Sequence, residues 1–180
     1  IAGFVVGSAE FCTEVRMFGL KDMTGAVMDP FTSFLIPRGL KTLEIRMQKH
    51  CANAKAVAEF LYNHPAVEKV YYPGLIDHPG HDIARRQMSD FGGMLSFEVK
   101  GGREAGVKFM DALELVTRQV HVADARSCVL HPASTTHRQV PDEQLPSVGI
   151  TPGLVRISVG LENVDDIIAD IEQALEKATK

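Results

Sequence analysis

One arginine lies in the middle of an otherwise apolar strand pattern, and its side chain is well suited to binding an anion. Residues 154–160 read Leu-Val-Arg-Ile-Ser-Val-Gly, and side chains alternate between the two faces of a strand. Val155, Ile157 and Val159 therefore share a face that suits burial against helices, whereas Arg156 lies on the other face. Because a desolvated charge without a partner is costly, Arg156 predicts an anionic partner, and its flat guanidinium fits a carboxylate. That partner is either an internal Asp or Glu or the carboxylate of a bound substrate.

Two other polar features could also take part in chemistry. Residues 130–139 are rich in hydroxyl and imidazole side chains, and His131 and His137 could bind a metal ion. No carboxylate or thiol at suitable spacing completes a ligand set, so the sequence does not favour a metal site. Lys21 and Asp22 are adjacent in a predicted loop, where they form either a surface ion pair or a polar patch that faces a cleft.

The composition limits the classes of protein to which the chain can belong. The 180 residues carry 19 basic and 23 acidic side chains, a net charge of −4, and 45% hydrophobic residues. This balance predicts a globular domain, or one and part of another, and it argues against a nucleic-acid partner. No apolar run reaches membrane-spanning length. Cys12, Cys51 and Cys128 are odd in number and widely spaced, which predicts reduced thiols in a soluble, cytoplasmic protein.

Apolar periodicity predicts helices that alternate with short strands. A short helix after Asp29-Pro30 should break at Pro37-Arg38-Gly39, and a long helix should follow. The predicted helices span 40–63, 81–88, 103–113 and 164–178, and the predicted strands span 1–7, 67–72, 94–99, 116–122, 127–130 and 154–160. The order from residue 67 onward predicts an α+β layer, a small and largely antiparallel sheet with helices on one face. Since the chain opens within a strand pattern and lacks an initiating Met, we expect further sequence upstream.

Several motifs in the same order resemble one known family. They are Gly-Leu-Lys-Asp-Met-Thr-Gly at 19–25, Arg-Gly-Leu-Lys-Thr-Leu at 38–43, Met-Gln-Lys-His-Cys-Ala-Asn-Ala at 47–54, Tyr-Pro-Gly-Leu at 72–75, His-Pro-Ala-Ser at 131–134 and Leu-Val-Arg-Ile-Ser-Val-Gly-Leu-Glu at 154–162. Together they resemble the pyridoxal-phosphate-dependent enzymes of cysteine and methionine metabolism, in collinear order over essentially the whole chain. The first motif is similar to the methionine γ-lyase branch.

The resemblance implies an α/β architecture, the aminotransferase-like fold type I of pyridoxal-phosphate enzymes. Residues 1–39 would be the end of the large cofactor-binding domain, residues 40–66 the connecting long helix, and residues 67–180 the α+β C-terminal domain. Members of this family are similar in assembling as homotetramers, as dimers of dimers.

The resemblance also implies an activity. Pyridoxal 5'-phosphate acts as the electron sink, and the sulfur amino acid methionine would undergo α,γ-elimination to methanethiol, 2-oxobutanoate and ammonia. The lysine that holds the cofactor in this family lies upstream of the segment that matches residues 1–7. We therefore assign no catalytic or cofactor-binding residue to this chain, and neither Lys21 nor Lys41 matches that lysine.

Five residues of this chain match substrate-site positions of the family. Arg156 matches the arginine that binds the α-carboxylate, and Lys21 and Asp22 match a polar pair near the pocket of the γ-lyase branch. His121 takes the place of a serine that assists carboxylate binding. The backbone N–H at position 121 can still donate, and histidine can change charge near neutral pH. Thr135 replaces a methionine common in γ-lyases, which predicts a more polar pocket.

Other readings of the function stay open. The usual Ser-Leu-Gly segment of the family is His121-Val122-Ala123 here, and residues 123–127 and 134–137 drift toward the O-acetylhomoserine sulfhydrylases. The alternatives within the family are therefore an O-acetylhomoserine sulfhydrylase or a cystathionine γ-lyase. An alternative of another class is a non-catalytic assembly fragment, because the chain lacks the cofactor lysine.

Overall fold

The computed structural model describes residues 2–179, which divide into two compact units, one ending at Glu44 and one beginning at Ile45. The first unit contains helix α1 (Ala9–Glu14), a π-helix (Val15–Thr24) and helix α2 (Pro30–Leu40). Side-chain caps begin both α-helices, since Ser8 Oγ accepts from the Phe11 N–H at 3.2 Å and Asp29 Oδ1 accepts from the Thr32 N–H at 2.9 Å.

The strand predicted for residues 1–7 is wrong over residues 2–7, and Ile1 lies outside the described residues. Residues 2–7 adopt no strand and are exposed, with Phe4 at 72% and Val6 at 92% exposure. An apolar run becomes a strand only when its backbone finds a hydrogen-bonding partner. The five strands described here pair with one another and not with this segment.

The break predicted at Pro37-Arg38-Gly39 is displaced by a few residues. Pro37 lies inside α2, which continues to Leu40 before a two-residue turn leads into α3 (Leu43–Tyr62). A proline removes one backbone donor and bends a helix without always ending it. The long helix predicted for residues 40–63 is otherwise present.

The second unit is built on one five-stranded sheet. Its strands are β1 (Val67–Tyr71), β2 (Met94–Val99), β3 (Thr117–Arg118), β4 (Cys128–Leu130) and β5 (Leu154–Ser158), and their order across the sheet is β1-β2-β5-β4-β3. Every neighbouring pair is antiparallel except β3 and β4, which are parallel. The strand predicted for residues 116–122 is wrong beyond Arg118, because residues 119–127 leave the sheet as a loop.

Helices cover one face of this sheet, so the predicted α+β layer is confirmed. Helix α4 (His81–Gln87) lies between β1 and β2 in the chain, and the helices that pack in this layer with α3 are α5 (Gly102–Ala112) and α6 (Val164–Ala178). Alternate residues of the strands meet α3, α5 and α6 in one core, where the rings of Phe97 and Phe109 pack edge to face at 5.6 Å. Fully buried side chains of this core include Val57, Leu61, Phe97, Phe109, Val155, Ile157, Val159, Ile167, Ile171 and Leu175.

A buried carboxylate on α6 fixes the connection between α5 and β3. Asp170 accepts three backbone hydrogen bonds, from the N–H groups of Glu114 at 2.9 Å, Leu115 at 2.9 Å and Val116 at 2.8 Å. These N–H groups follow the end of a helix and have no strand partner, so the carboxylate supplies their acceptor, and the N–H of Val116 would otherwise be buried without one.

We expect Asp170→Ala to lower the free energy of unfolding by about 2–4 kcal/mol, because three backbone donors lose a charged acceptor. Denaturant unfolding followed by circular dichroism measures this change. Glu172→Ala is a matched control, since Glu172 lies on the exposed face of the same helix and its loss should change stability by less than about 0.5 kcal/mol. A similar small loss in Asp170→Ala would contradict the assignment.

Candidate substrate-binding site

The face of the sheet opposite the helices carries Arg156 in a row of cross-strand neighbours. The register places Tyr71 opposite Ser96, Ser96 opposite Arg156, and Arg156 opposite Leu130. Arg156 is half-buried. The alternation predicted for residues 154–160 is therefore confirmed, with Val155 and Ile157 in the core and Arg156 on the open face.

Arg156 is held by a backbone carbonyl instead of a carboxylate. Its Nη2 donates to the carbonyl oxygen of Val120 at 2.8 Å. Within residues 2–179, no carboxylate lies within ion-pair distance of this guanidinium. Arg156 is thus not paired with an internal acid in this part of the chain. A guanidinium has five N–H donors, and the others are available to a carboxylate ligand.

The loop that carries His121 is attached to β5 on both sides of that residue. Val120 accepts from Arg156, and the backbone N–H of Ala123 donates to the buried Ser158 Oγ at 2.9 Å. His121 itself is exposed, and no acceptor for its backbone N–H occurs in the described chain. Arg156 and Ser158 lie on the same strand face, so one face of β5 holds the loop in place.

Ala123 adopts a left-handed backbone conformation with φ of 60°, which residues other than glycine rarely adopt. This residue stands where the family segment quoted above has glycine. The hydrogen bond to Ser158 therefore holds a residue whose backbone is strained.

A hydrogen-bonded polar cluster connects the end of the same loop to the residues after β5. Its members are Asn53, Ser127, Gly160 and Glu162. The Glu162 carboxylate accepts from the backbone N–H of Ser127 at 2.6 Å and from its hydroxyl at 3.0 Å. Ser127 Oγ accepts from the Gly160 N–H at 2.8 Å, and the Asn53 amide donates to the carbonyls of Gly160 at 3.0 Å and Glu162 at 2.9 Å. A Cβ at Gly160 would overlap Glu162 and Ser127, so this close approach requires glycine.

Thr135 lies in the turn after β4 and lines a groove of about 560 Å³. Its hydroxyl donates to the His131 carbonyl at 2.7 Å. The groove also includes Val120, Leu130 and Arg138. Thr135 thus shares a groove with the residue whose carbonyl holds Arg156.

His131 anchors that turn from inside the protein. It is fully buried, with Nε2 at 2.8 Å from the Pro152 carbonyl and Nδ1 at 2.8 Å from Ser134 Oγ. Because a carbonyl only accepts, Nε2 carries the proton and Nδ1 accepts from the serine hydroxyl. Burial lowers the pKa of His131 and favours this neutral form. The sequence suggested only a metal-ligand role for this residue, although both ring nitrogens bind protein groups.

Lys21 and Asp22 lie in the π-helix of the first unit, so their predicted loop placement is wrong. Lys21 Nζ is 3.9 Å from Asp22 Oδ1, and the two side chains are 66% and 58% exposed. Such an exposed pair contributes little to stability. Their part in a substrate site stays a prediction.

No lysine among the described residues has the surroundings expected of the lysine that holds pyridoxal phosphate. A lysine that reacts with a carbonyl group is normally desolvated, which makes its amine available. Every lysine among residues 2–179 is exposed, namely Lys21, Lys41, Lys49, Lys55, Lys69, Lys100, Lys108 and Lys177. The assignment of substrate-binding residues, and of no cofactor-binding residue, to this chain stays a prediction.

The fold agrees with the comparisons with known proteins. The model of the Cys/Met metabolism PLP-dependent enzyme family matches residues 1–176. The chain belongs to this family, as the motifs predicted.

An L-methionine gamma-lyase of Fusobacterium nucleatum subsp. polymorphum is 56% identical to the chain over 177 residues, which cover 98% of this chain and 45% of that protein. An O-acetyl-L-homoserine sulfhydrylase of Leptospira meyeri is 46% identical over 167 residues, which cover 92% of this chain and 38% of that protein. The chain thus spans less than half the length of these curated relatives.

A crystal structure from Campylobacter jejuni, described as an O-acetylhomoserine (thiol)-lyase, has a TM-score of 0.84 and 38% identity. The match covers 95% of this chain and 41% of that chain, which contains N'-pyridoxyl-lysine-5'-monophosphate. The predicted fold type I architecture is therefore confirmed for the part of it that this chain forms. The implied cofactor, pyridoxal phosphate, agrees with the family description and with this neighbour.

We expect Ala123→Gly to raise the free energy of unfolding by about 0.5–1 kcal/mol, because glycine adopts positive φ without the Cβ clash. Denaturant unfolding of the two proteins measures the difference. Ala125→Gly is the matched control, since Ala125 is exposed on the same loop and has no positive φ. At position 125, glycine should lower the free energy of unfolding, because it adds conformational freedom to the unfolded chain. Equal effects of the two substitutions would contradict backbone strain at Ala123.

Proposed function

We propose that the protein carrying this chain is a pyridoxal-phosphate-dependent carbon–sulfur lyase that converts L-methionine to methanethiol, 2-oxobutanoate and ammonia. The half-buried Arg156 carries the proposal, because its guanidinium has no carboxylate partner within the described chain and faces the open side of the sheet. Six relatives named L-methionine gamma-lyase share 49–56% identity with the chain, whereas two named homoserine sulfhydrylases share 46% and 43%.

The chain's own residues contribute binding and orientation of the substrate. Arg156 donates hydrogen bonds to the α-carboxylate, with Nη2 steadied by the Val120 carbonyl. The backbone N–H of His121, on the loop fixed to β5, is a second donor for the same carboxylate. Fixing the carboxylate sets the orientation of the amino acid, which lowers the entropic barrier to reaction. Pyridoxal phosphate, when bound, supplies the electron sink for the elimination.

Three further residues complete the proposed site. Thr135 lies toward the γ-substituent, where the groove next to Val120 and Leu130 offers a mainly apolar wall. Lys21 and Asp22, in the first unit, are included on the family resemblance alone, as a polar pair near the substrate pocket. We also propose a cytoplasmic homotetramer, on the family resemblance. The described residues contain no helix long and apolar enough to span a membrane.

A sulfhydrylase acting on O-acetylhomoserine is the second candidate. One feature favours it, since Thr135 places a polar oxygen, whose proton is donated to the His131 carbonyl, where γ-lyases commonly have methionine. A polar group suits an ester more than a thioether. A cystathionine γ-lyase, the remaining alternative within the family, would cleave cystathionine.

Turnover by the full-length protein, loaded with pyridoxal phosphate, decides among these activities. Methionine, cystathionine, and O-acetylhomoserine with sulfide are supplied separately, and the thiol and 2-oxobutanoate products are measured. We expect methanethiol from methionine at the highest kcat/KM. Homocysteine from O-acetylhomoserine and sulfide, with no methanethiol from methionine, would overturn the proposal in favour of the second candidate.

We expect Arg156→Ala in the full-length protein to lower kcat/KM by an amount equivalent to about 2–5 kcal/mol, mainly through KM, because the substrate carboxylate loses its charged partner. Steady-state kinetics measures the loss. Arg85→Ala, at an exposed position on α4, is the matched control and should leave kcat/KM unchanged. An unaltered kcat/KM in Arg156→Ala would remove this arginine from the site.

A further inference from the structure

The open face of the sheet holds a carboxylate that could reach Arg156. Glu98 lies opposite Leu154 in the register, and Ser96 lies opposite Arg156. Glu98 is therefore the diagonal cross-strand neighbour of Arg156 on the same face. Diagonal neighbours in an antiparallel pair lie about 7–8 Å apart, which long side chains can bridge. On strand geometry alone, Glu98 is the internal partner expected for this arginine.

Glu98 is bound to a tyrosine instead. The Tyr71 hydroxyl donates a hydrogen bond to Glu98 Oε1, and Tyr71 lies on β1 in the row that contains Ser96 and Arg156. Burial, together with the nearby Glu98 carboxylate, raises the pKa of Tyr71 to about 12. The hydroxyl is therefore protonated at neutral pH and acts as a permanent donor.

Lys69 is the second cation close to Glu98, and its side chain also contacts Tyr71. Lys69 lies directly opposite Glu98 in the register, but its Nζ is 4.8 Å from the centroid of the Tyr71 ring. This distance is typical of a cation–π contact. Within the described residues, Lys69 makes no ion pair with a carboxylate. Tyr71 thus contacts both charged residues, with its hydroxyl on Glu98 and its ring on Lys69.

We infer that Tyr71 is a positioning residue, whose hydrogen bond holds Glu98 away from Arg156 and so keeps the guanidinium available for the substrate's carboxylate. The inference rests on the proposed carboxylate-binding role of Arg156. Without the Tyr71 hydroxyl, the half-buried Glu98 loses its donor, and Arg156 offers a bidentate replacement. The internal carboxylate then competes with the substrate for the same N–H groups.

The test uses the full-length protein loaded with pyridoxal phosphate and the amino acid L-norleucine, which has an α-carboxylate and no sulfur. Calorimetry gives the Kd of norleucine for the wild type and for Tyr71→Phe, Glu98→Gln and the double variant. Tyr62→Phe is the matched control, since Tyr62 lies at the exposed end of α3. Methionine kinetics on the same proteins separates KM from kcat.

We expect Tyr71→Phe to weaken norleucine binding about two- to fivefold, the range for a partly exposed charge pair, and to raise KM with kcat unchanged. The double variant should bind as the wild type does, because the competing charge is gone. Glu98→Gln alone should bind as tightly as the wild type or more tightly, and this measurement does not depend on the folding of Tyr71→Phe.

Three results would overturn the inference. They are an unchanged Kd in Tyr71→Phe, the same loss in Tyr71→Phe and the double variant, and weaker binding in Glu98→Gln. The first would show that Glu98 does not turn to Arg156 when the hydroxyl is lost, and the second that Tyr71 acts through packing alone. Arg156→Ala separates this failure from failure of the proposed function. If that variant binds norleucine as the wild type does, the site assignment itself is wrong.

Discussion

The proposed substrate site depends on one constraint, a guanidinium on a half-buried sheet face that must keep a hydrogen-bonding partner without forming an ion pair with an internal acid. The Val120 carbonyl meets this requirement, since it accepts from Nη2 and carries no full charge. The carbonyl can do so only because the chain after β3 leaves the sheet and runs close to β5. Truncation of β3 to Thr117–Arg118, the clearest difference from the expected strand, is therefore what allows the arginine to be held and yet remain available.

The loop after β3 is itself stabilised by polar contacts more than by apolar burial. Ser158 accepts a hydrogen bond from the middle of the loop, at Ala123, and the polar cluster around Ser127 holds its end. Both sets of contacts come from β5 or from the residues that directly follow it. The strand that carries Arg156 thus also fixes the position of His121, so the two proposed carboxylate donors belong to one rigid assembly. A carboxylate site built in this way needs little reorganisation when the ligand binds.

Local periodicity predicted most of the second unit, because each of its helices and central strands carries a strong apolar pattern. Alternation in residues 154–160 placed Arg156 and Ser158 together on one face, and this was the available signal for the serine contact. The family motifs supplied the site residues, which no spacing rule would have selected.

Other features depend on partners distant in sequence. Residues 2–7 have a strand-like pattern without a strand partner. Residues 119–122 also have one, but there the Val120 carbonyl accepts from the Arg156 side chain of β5. The role of His131 follows from its contact with Pro152, 21 residues away, and the carboxylate of Asp170 reaches backbone 54–56 residues away.

The buried His131 also makes the turn that carries Thr135 sensitive to acid. The folded chain holds this imidazole neutral, with its pKa below the ordinary value of 6.5, whereas the unfolded chain takes up a proton near that value. Its contribution to stability is therefore complete above about pH 6.5 and falls as the pH drops below it, because only the unfolded state gains the proton. A charged ring could not accept from Ser134, so the turn that carries Thr135 depends on a histidine that stays neutral in the folded chain.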